Sequence, residues 1–289
     1  GGGLVGGRGG CAGAVGGESS RGVVAVVAGS PPYPGAGVLC SGAARLGGAG
    51  MVRYAGSASD VVINRWPEIV VAADGPATAG RAEAWVLGPG AGTHESATAH
   101  LTQALESQVL VVIDADGLTL LSQDSSLREM IATRHASGLA TVITPHAGEF
   151  ARLGFTLPQG GAANRIGAVR DAAASLGAVV LLKGHETVVA EPSGSAFVNT
   201  LSDSCLATAG SGDVLSGLLG SLLAAETARI GQLGFEDAAA TAACAALIHG
   251  LAGCLAGATG RPVTSEDVLA AVPRAIATLR RGERESGEG

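Results

Sequence analysis

Among the 289 residues, the segment Ala207-Thr208-Ala209-Gly210-Ser211-Gly212-Asp213 has the residue types best suited to phosphate chemistry. Small residues let a backbone come close to a ligand. Apolar residues follow at Val214, Leu215, Leu218, Leu219, Leu222 and Leu223, the spacing of one helix face, which predicts a helix over 212–223. Gly210–Asp213 opens that helix, and its free N–H groups, with the positive end of the helix dipole, suit a phosphate. Asp213 has two readings there. It caps the helix, or it takes the proton from a hydroxyl that attacks a phosphoryl group. Helix signals alone leave both open. The small residues before it and the turns described next favour the base.

Those turns follow short apolar runs at 23–28, 69–73, 84–87, 109–113, 140–143 and 179–182. Each has the length of a strand buried on both faces. Segments of helical spacing lie between them, at 35–46, 96–105 and 164–176. The alternation predicts an α/β domain over 23–279, a mostly parallel sheet with helices on both faces. Ligands bind such sheets beyond the carboxyl ends of the strands. Five turns fall on that edge: Tyr33-Pro34-Gly35-Ala36-Gly37, Gly88-Pro89-Gly90-Ala91-Gly92, Asp114-Ala115-Asp116-Gly117, Thr144-Pro145-His146-Ala147-Gly148-Glu149 and Lys183-Gly184-His185-Glu186-Thr187. One Gly-rich turn has backbone reasons alone; five on one edge predict a composite site. Within them, His146 either caps the next helix or meets a ligand, and Glu149 pairs with a loop or caps. Asp114 and Asp116 bond loop backbone or coordinate Mg²⁺, and no metal-ligand set is assigned. His94 and Glu95 start a helix, and His249 reads as a satisfied core histidine.

The remaining features narrow the class. A net charge of −7 with no long basic run gives no counterion-release drive toward DNA or RNA, so no nucleic-acid partner is expected. Five cysteines without CxxC spacing read as reduced thiols of a cytoplasmic protein. Residues 238–256 lack formal charge and are Ala-rich, but their Thr, Gly and His249 suit a buried helix better than a membrane span. A hairpin is predicted over 187–190 and 196–199, and helices over 237–255 and 265–279, the last capped by Ser265. Residues 1–22 read as a flexible Gly-rich tail and 280–289 as a charged, frayed one. No GxxxxGK[ST] is present, which excludes a P-loop.

The motif Thr208-Ala209-Gly210-Ser211-Gly212-Asp213 resembles the anion hole and catalytic Asp of ribokinase-like enzymes. With Tyr33–Ala36, Gly88–Gly90, Asp114–Asp116, Thr144–Phe150 and Lys183–Thr187 in the same order and similar spacing, the chain resembles the ADP/ATP-dependent NAD(P)H-hydrate dehydratases over about residues 21–271. The resemblance implies a ribokinase-like fold. It implies an enzyme that uses ADP or ATP with Mg²⁺ to dehydrate the S form of hydrated NADH or NADPH. By position, Ala36, Gly90, His146 and Asp213 would contact the hydrated dinucleotide. Lys183, Gly184, His185, Glu186, Thr187 and Gly212 would hold the adenine nucleotide. Asp213 would be the base, beside an anion hole of Gly210, Ser211 and Gly212.

Relatives usually carry Gly at about Ser202, where this chain departs. Many also carry a fused epimerase domain, for which residues 1–22 are too short, so no epimerase activity is expected in this chain. A homo-oligomer is expected. Two other functions compete: a ribokinase-like kinase of the hydroxymethylpyrimidine or thiazole type, which Thr144–Phe150 argues against, and a nucleotide sensor without catalysis.

Overall fold

The computed structural model describes residues 21–72, 75–159, 161–201, 206–258 and 260–287. The expected tail over residues 1–20, the departure at Ser202, Cys11 and Cys205 lie outside the described residues. The apolar runs become strands of one nine-stranded sheet: β1 (Val23–Val27), β2 (Met51–Tyr54), β3 (Val70–Val71), β4 (Ala84–Leu87), β5 (Leu110–Ile113), β6 (Thr141–Ile143), β7 (Val179–Leu182), β8 (Thr187–Ala190) and β9 (Ala196–Asn199). The order is β3-β2-β1-β4-β5-β6-β7-β8-β9. Strands β1 to β7 pair in parallel, and β8 and β9 add antiparallel. Winding reverses between β1 and β4, so the loops leaving those two strands diverge and open a crevice.

Among the described residues ten helices cover the faces: α1 (Pro34–Leu46), α2 (Ser59–Arg65), α3 (Glu95–Glu106), α4 (Asp116–Gln123), α5 (Ser125–Ala136), α6 (Ala147–Arg152), α7 (Ala162–Leu176), α8 (Ser211–Ile230), α9 (Phe235–Gly257) and α10 (Ser265–Gly287). Alternate residues of β1 serve two cores. Val24 and Val26 pack with residues of α1, α8, α9 and α10; Ala25 and Val27 pack with those of α3, α5 and α7. Each buried Val or Leu contributes about 1.5–3 kcal/mol, and the core needs few aromatics because these residues fill it.

Several expectations shift. The run over 69–73 shortens to β3, whose Val70 and Val71 are each 40% exposed: it is an edge strand with one neighbour, not a strand buried on both faces. Gly22, assigned to the tail, belongs to the fold: at φ +78 it packs on the Ala224 backbone, where a Cβ would meet Ala224 O at 2.2 Å. Thr264, not Ser265, caps α10: its Oγ1 accepts from Asp267 N at 3.3 Å while Asp267 Oδ2 accepts from Thr264 N at 2.9 Å. The same helix continues past 279 to Gly287. The Ala-rich helix α9 is long and apolar enough to cross a membrane by length and composition. Ala238, Ala242, Ala245 and Ile248 bury that apolar surface in the core.

Candidate active site

Gly210 occupies the N-cap position of α8 at φ +86, a left-handed conformation that glycine adopts without strain. Leu39 of α1 lies where a Gly210 side chain would project, with Cδ1 at 2.6 Å from that point. Asp213 therefore sits in the first turn and is not the cap. Ser211 holds the approach to the helix: its N–H donates to Thr208 O at 3.2 Å and its Oγ donates to Leu206 O at 2.7 Å. The N–H groups of Gly212 and Asp213 have no backbone partner among the described residues and remain open to an anion.

Asp213 is half-buried, and its carboxyl is pushed up to about 7. Burial is the largest cause; the negative charge of Asp114 adds to it, the Lys183 ammonium opposes it, and Asp116 adds a little more. Asp114 is 1% exposed and has both oxygens occupied. Oδ1 accepts from Lys183 Nζ at 2.7 Å and Oδ2 from Ser216 Oγ at 2.6 Å. Lys183 also lies 3.9 Å from Glu149 Oε2. Burial works against its ammonium, but the Asp114 and Glu149 carboxylates outweigh that and hold its pKa above the usual lysine value. The lysine is thus a fixed cation, and a Cβ on Gly212 would lie 3.4 Å from its Nζ. Cys40 lies close by: burial, Asp213 and Asp114 all push its thiol well up, so it stays protonated and inert.

The strand-end turns lock together around this group. Ala115, between Asp114 and Asp116, has φ +49, the one non-glycine positive φ among the described residues. Such strain collects at functional sites. Gly88 lets β4's turn press on β5's: a Cβ there would stand 1.9 Å from Asp114 O. Asp116 Oδ2 accepts from Gly92 N at 2.8 Å. Gly90 touches Ala36, with its would-be Cβ 2.7 Å from the Ala36 Cβ, and Gly29 N donates to Pro89 O at 2.7 Å. Ala36 and Gly90 thus meet at the winding reversal, and Leu39, one turn along α1 from Ala36, carries this patch to Gly210.

His146 is the N-cap of α6: its Nδ1 accepts from Gly148 N at 2.9 Å and Glu149 N at 3.3 Å, and Glu149 Oε2 accepts from His146 N at 2.8 Å. The capping role is real, and His146 also lines a cavity of about 470 Å³ with Lys183, Gly184, His185, Thr187 and Gly212. Glu186 and Asp213 are not among the lining residues; the Glu186 carbonyl accepts from Arg165 Nε at 3.1 Å. Arg165 also donates to Lys183 O at 3.1 Å, so α7 holds the β7–β8 turn in place. His94 caps α3, as expected. His249 departs from expectation: it is buried, but its Nε2 has no hydrogen-bond partner among the described residues, and it lines the cavity.

Sequence reasoning missed Ser216, Arg165 and the bond from Lys183 to Asp114. Ser216 had a signal, as a polar residue inside an apolar helix three positions after Asp213. Arg165 had none, because its partners are backbone carbonyls.

The family model for NAD(P)H-hydrate dehydratase matches residues 24–274. A bifunctional NAD(P)H-hydrate repair enzyme of Mycobacterium tuberculosis is 53% identical over 205 residues, covering 71% of this chain and 41% of that protein. An ADP-dependent (S)-NAD(P)H-hydrate dehydratase of Neisseria meningitidis is 42% identical over 214 residues, covering 72% and 71%. The chain thus spans less than half the length of the bifunctional relatives. In fold, it matches a ribokinase-like superfamily protein of Enterococcus faecalis (TM-score 0.71, 25% identity, covering 91% of this chain and 89% of that one). It also matches the ADP/ATP-dependent NAD(P)H-hydrate dehydratase of Bacillus subtilis, co-crystallised with ATP and Mg²⁺ (TM-score 0.73, 23% identity, covering 91% and 92%). With the model matched over most of its length, this ribokinase-like chain belongs to the NAD(P)H-hydrate dehydratase family.

Proposed function

We propose that the chain is an ADP-dependent (S)-NAD(P)H-hydrate dehydratase that restores hydrated NADH and NADPH. One observation carries the reading: Asp213, a half-buried carboxyl pushed up to about 7, stands at the open end of α8 beside the fixed ammonium of Lys183. A base of that strength suits proton abstraction near neutral pH. Asp213 takes the proton of the ring hydroxyl as its oxygen bonds the terminal phosphorus of the nucleotide and the bond to the leaving nucleotide breaks. The open N–H groups of Gly212 and Asp213, with Lys183, stabilise the charge on the transferring group. The ring C–O bond then breaks, phosphate departs, and loss of the neighbouring hydrogen restores the double bond.

Among the described residues no group of three His, Cys, Asp or Glu side chains could hold a metal. An Mg²⁺ would therefore be carried largely by phosphate oxygens and water, as this ion prefers, and would neutralise phosphate charge. His146, Ala36 and Gly90 would contact the hydrated dinucleotide; Lys183 to Thr187 and Gly212 would hold the adenine nucleotide, with the anion hole moved from the expected residues 210–212 to the N–H groups of Gly212 and Asp213, because the Ser211 N–H is taken by Thr208 O. The free, buried thiol of Cys40 supports a cytoplasmic setting, and exposed Val61, Ile63, Val70 and Val71 support a homo-oligomer.

The test supplies hydrated NADH, Mg²⁺ and either ADP or ATP, and follows dihydronicotinamide absorbance. Absorbance should return with stoichiometric phosphate, faster with ADP. A stable phosphorylated small molecule with no restored NADH would point to the kinase, and nucleotide binding without turnover to the sensor.

A further inference from the structure

The β7–β8 turn, residues 183–186, is held from outside itself. It joins two antiparallel strands and supplies Lys183, Gly184 and His185 to the cavity wall. Lys183 N donates to Pro145 O at 2.8 Å, and Lys183 Nζ donates to Asp114 Oδ1 at 2.7 Å. The carbonyls at the two ends of the turn go to one side chain of another element. Arg165 Nε donates to Glu186 O and Arg165 Nη2 to Lys183 O, each at 3.1 Å. A guanidinium is a planar fork, and hydrogen bonds from a charged donor are stronger than those between neutral groups. Arg165 stands near the amino end of α7, whose Val169, Ala172 and Ala173 are buried in the core where the helix packs on β7 and β8. The fork therefore has a rigid base.

Gly184 belongs to the same arrangement. Its φ lies outside the left-handed region, so its backbone does not call for glycine. What excludes a side chain is Arg165: a Cβ on Gly184 would lie 2.4 Å from Nη2 and 3.3 Å from Cζ of that guanidinium. The nearest atom beyond it is Glu186 O, at 3.6 Å from the same point. Glycine at 184 thus leaves the space that the guanidinium fills. The end of a flexible side chain yields before backbone does, so a methyl group there displaces the fork and leaves the turn without it.

We propose that Arg165 is a positioning residue for the nucleotide: its guanidinium holds residues 183–186 in the shape that receives the adenine nucleotide, and residue 184 is glycine to admit it. The proposal rests on the nucleotide reading given above. Arg165 is not among the residues lining the cavity, so it acts through the turn and not on the ligand. Without the fork the turn must be ordered when the nucleotide binds, and that ordering is subtracted from affinity. Lys183 Nζ keeps its own bond to Asp114, so the charge beside Asp213 stays and the chemical step is left alone.

Calorimetry with ADP on the full chain, arranged as a double-mutant cycle, tests this. Arg165→Met keeps most of the stem, loses the fork, and should weaken ADP about tenfold. Gly184→Ala should weaken ADP by a similar factor, by pushing the fork aside. The double variant should be no worse than Arg165→Met alone, because the second change displaces a group already gone. Steady-state kinetics of Arg165→Met should put the loss in KM for ADP, with kcat and the KM for hydrated NADH within about twofold of the parent. Arg165→Lys, whose ammonium lacks the fork, should fall between the parent and Arg165→Met. It replaces Arg165→Met in the cycle if that variant does not fold. ADP binding unchanged in Arg165→Met overturns the proposal. So do losses that add in the double variant, which would mean that Gly184 meets the nucleotide on its own account. An equal rise in both KM values, the mark of a loosened fold, also overturns it. Each of these results leaves the nucleotide reading standing, whereas a parent that binds no adenine nucleotide overturns both.

Discussion

Two cations, one buried and one half-buried, sit at opposite edges of the same sheet, and they are satisfied in opposite ways. Arg134 of α5, 3% exposed, lies at the amino edge and has no carboxylate partner among the described residues. Its guanidinium donates to the carbonyls of Leu105, Ser107, Val109 and Ala140, and to Thr141 Oγ1 at 3.0 Å. Burial pulls its pKa down to about 10, and it remains charged at neutral pH. Lys183, at the carboxyl edge, is paired with Asp114 and lies near Glu149, while Asp213 beside it has no hydrogen-bond partner among the described residues. Where every polar group is satisfied by the chain itself, burial makes a staple. Where one carboxylate is left over beside open N–H groups, the chain leaves a group that a ligand can use, the one proposed as the base.

The largest expected effect follows from that leftover group. Asp213→Asn should lower kcat by about 10²–10⁴-fold, the usual share of a general base, while ADP affinity stays within a few-fold. Single-turnover kinetics with calorimetry checks both. An unchanged kcat would remove the distinction between the two edges at once.

Arg134 should show the reverse. Arg134→Met leaves several buried carbonyls without donors, and the expected loss is about 3–5 kcal/mol of folding stability. Denaturant unfolding reads that directly, and kcat per folded molecule should match the parent. A small stability change would mean that water replaces the guanidinium.

A third contrast uses pH. The Asp213 carboxyl has a folded pKa of about 7 against an ordinary value of 3.8, so the folded state holds its proton more tightly. Stability from this group is complete below about pH 4 and is lost as pH rises through about 7. Asp213→Asn, which cannot titrate, should therefore gain thermal stability relative to the parent as pH goes from 4 to 8. Activity moves the other way: kcat/KM of the parent should rise with pH through about 7, as the base ionises. Ser216→Ala frees Asp114 from one donor without removing its charge, so it should move that midpoint less than Asp114→Asn. The latter should lower the midpoint because a negative neighbour is gone.

The difference between the edges also explains what the sequence could show. The carboxyl-edge site was legible because parallel strands end in short turns, and the chain places Gly, Asp, His and Lys there at residues 88–92, 114–116, 146 and 183. The helix opening at Gly210 was legible from small residues followed by one apolar face. Arg134 and Arg165 were not, since a side chain that binds backbone carbonyls has no partner residue type to look for. The bond from Lys183 to Asp114 joins positions 69 apart, and only the strand order brings them together. Strand β2, with Arg53 inside Met51–Tyr54, was missed because four residues near the sheet edge carry a weak apolar signal.

The smallest effect separates two roles held by one side chain. His146 caps α6 through Nδ1 and also lines the cavity beside Lys183 and Gly212. His146→Ala removes both functions and should cost about 1 kcal/mol of stability, the worth of a cap, together with a rise in KM for the hydrated dinucleotide. His146→Ser keeps an oxygen able to accept from the N–H groups of Gly148 and Glu149, and serine is a preferred cap. It should restore the unfolding midpoint and leave KM raised. If stability and KM both recover, the ring touches no substrate and His146 belongs with Arg134, among groups committed to the chain's own backbone. If stability recovers alone, His146 joins Asp213 on the reactive edge, and the capping bond is what points its ring into the cleft.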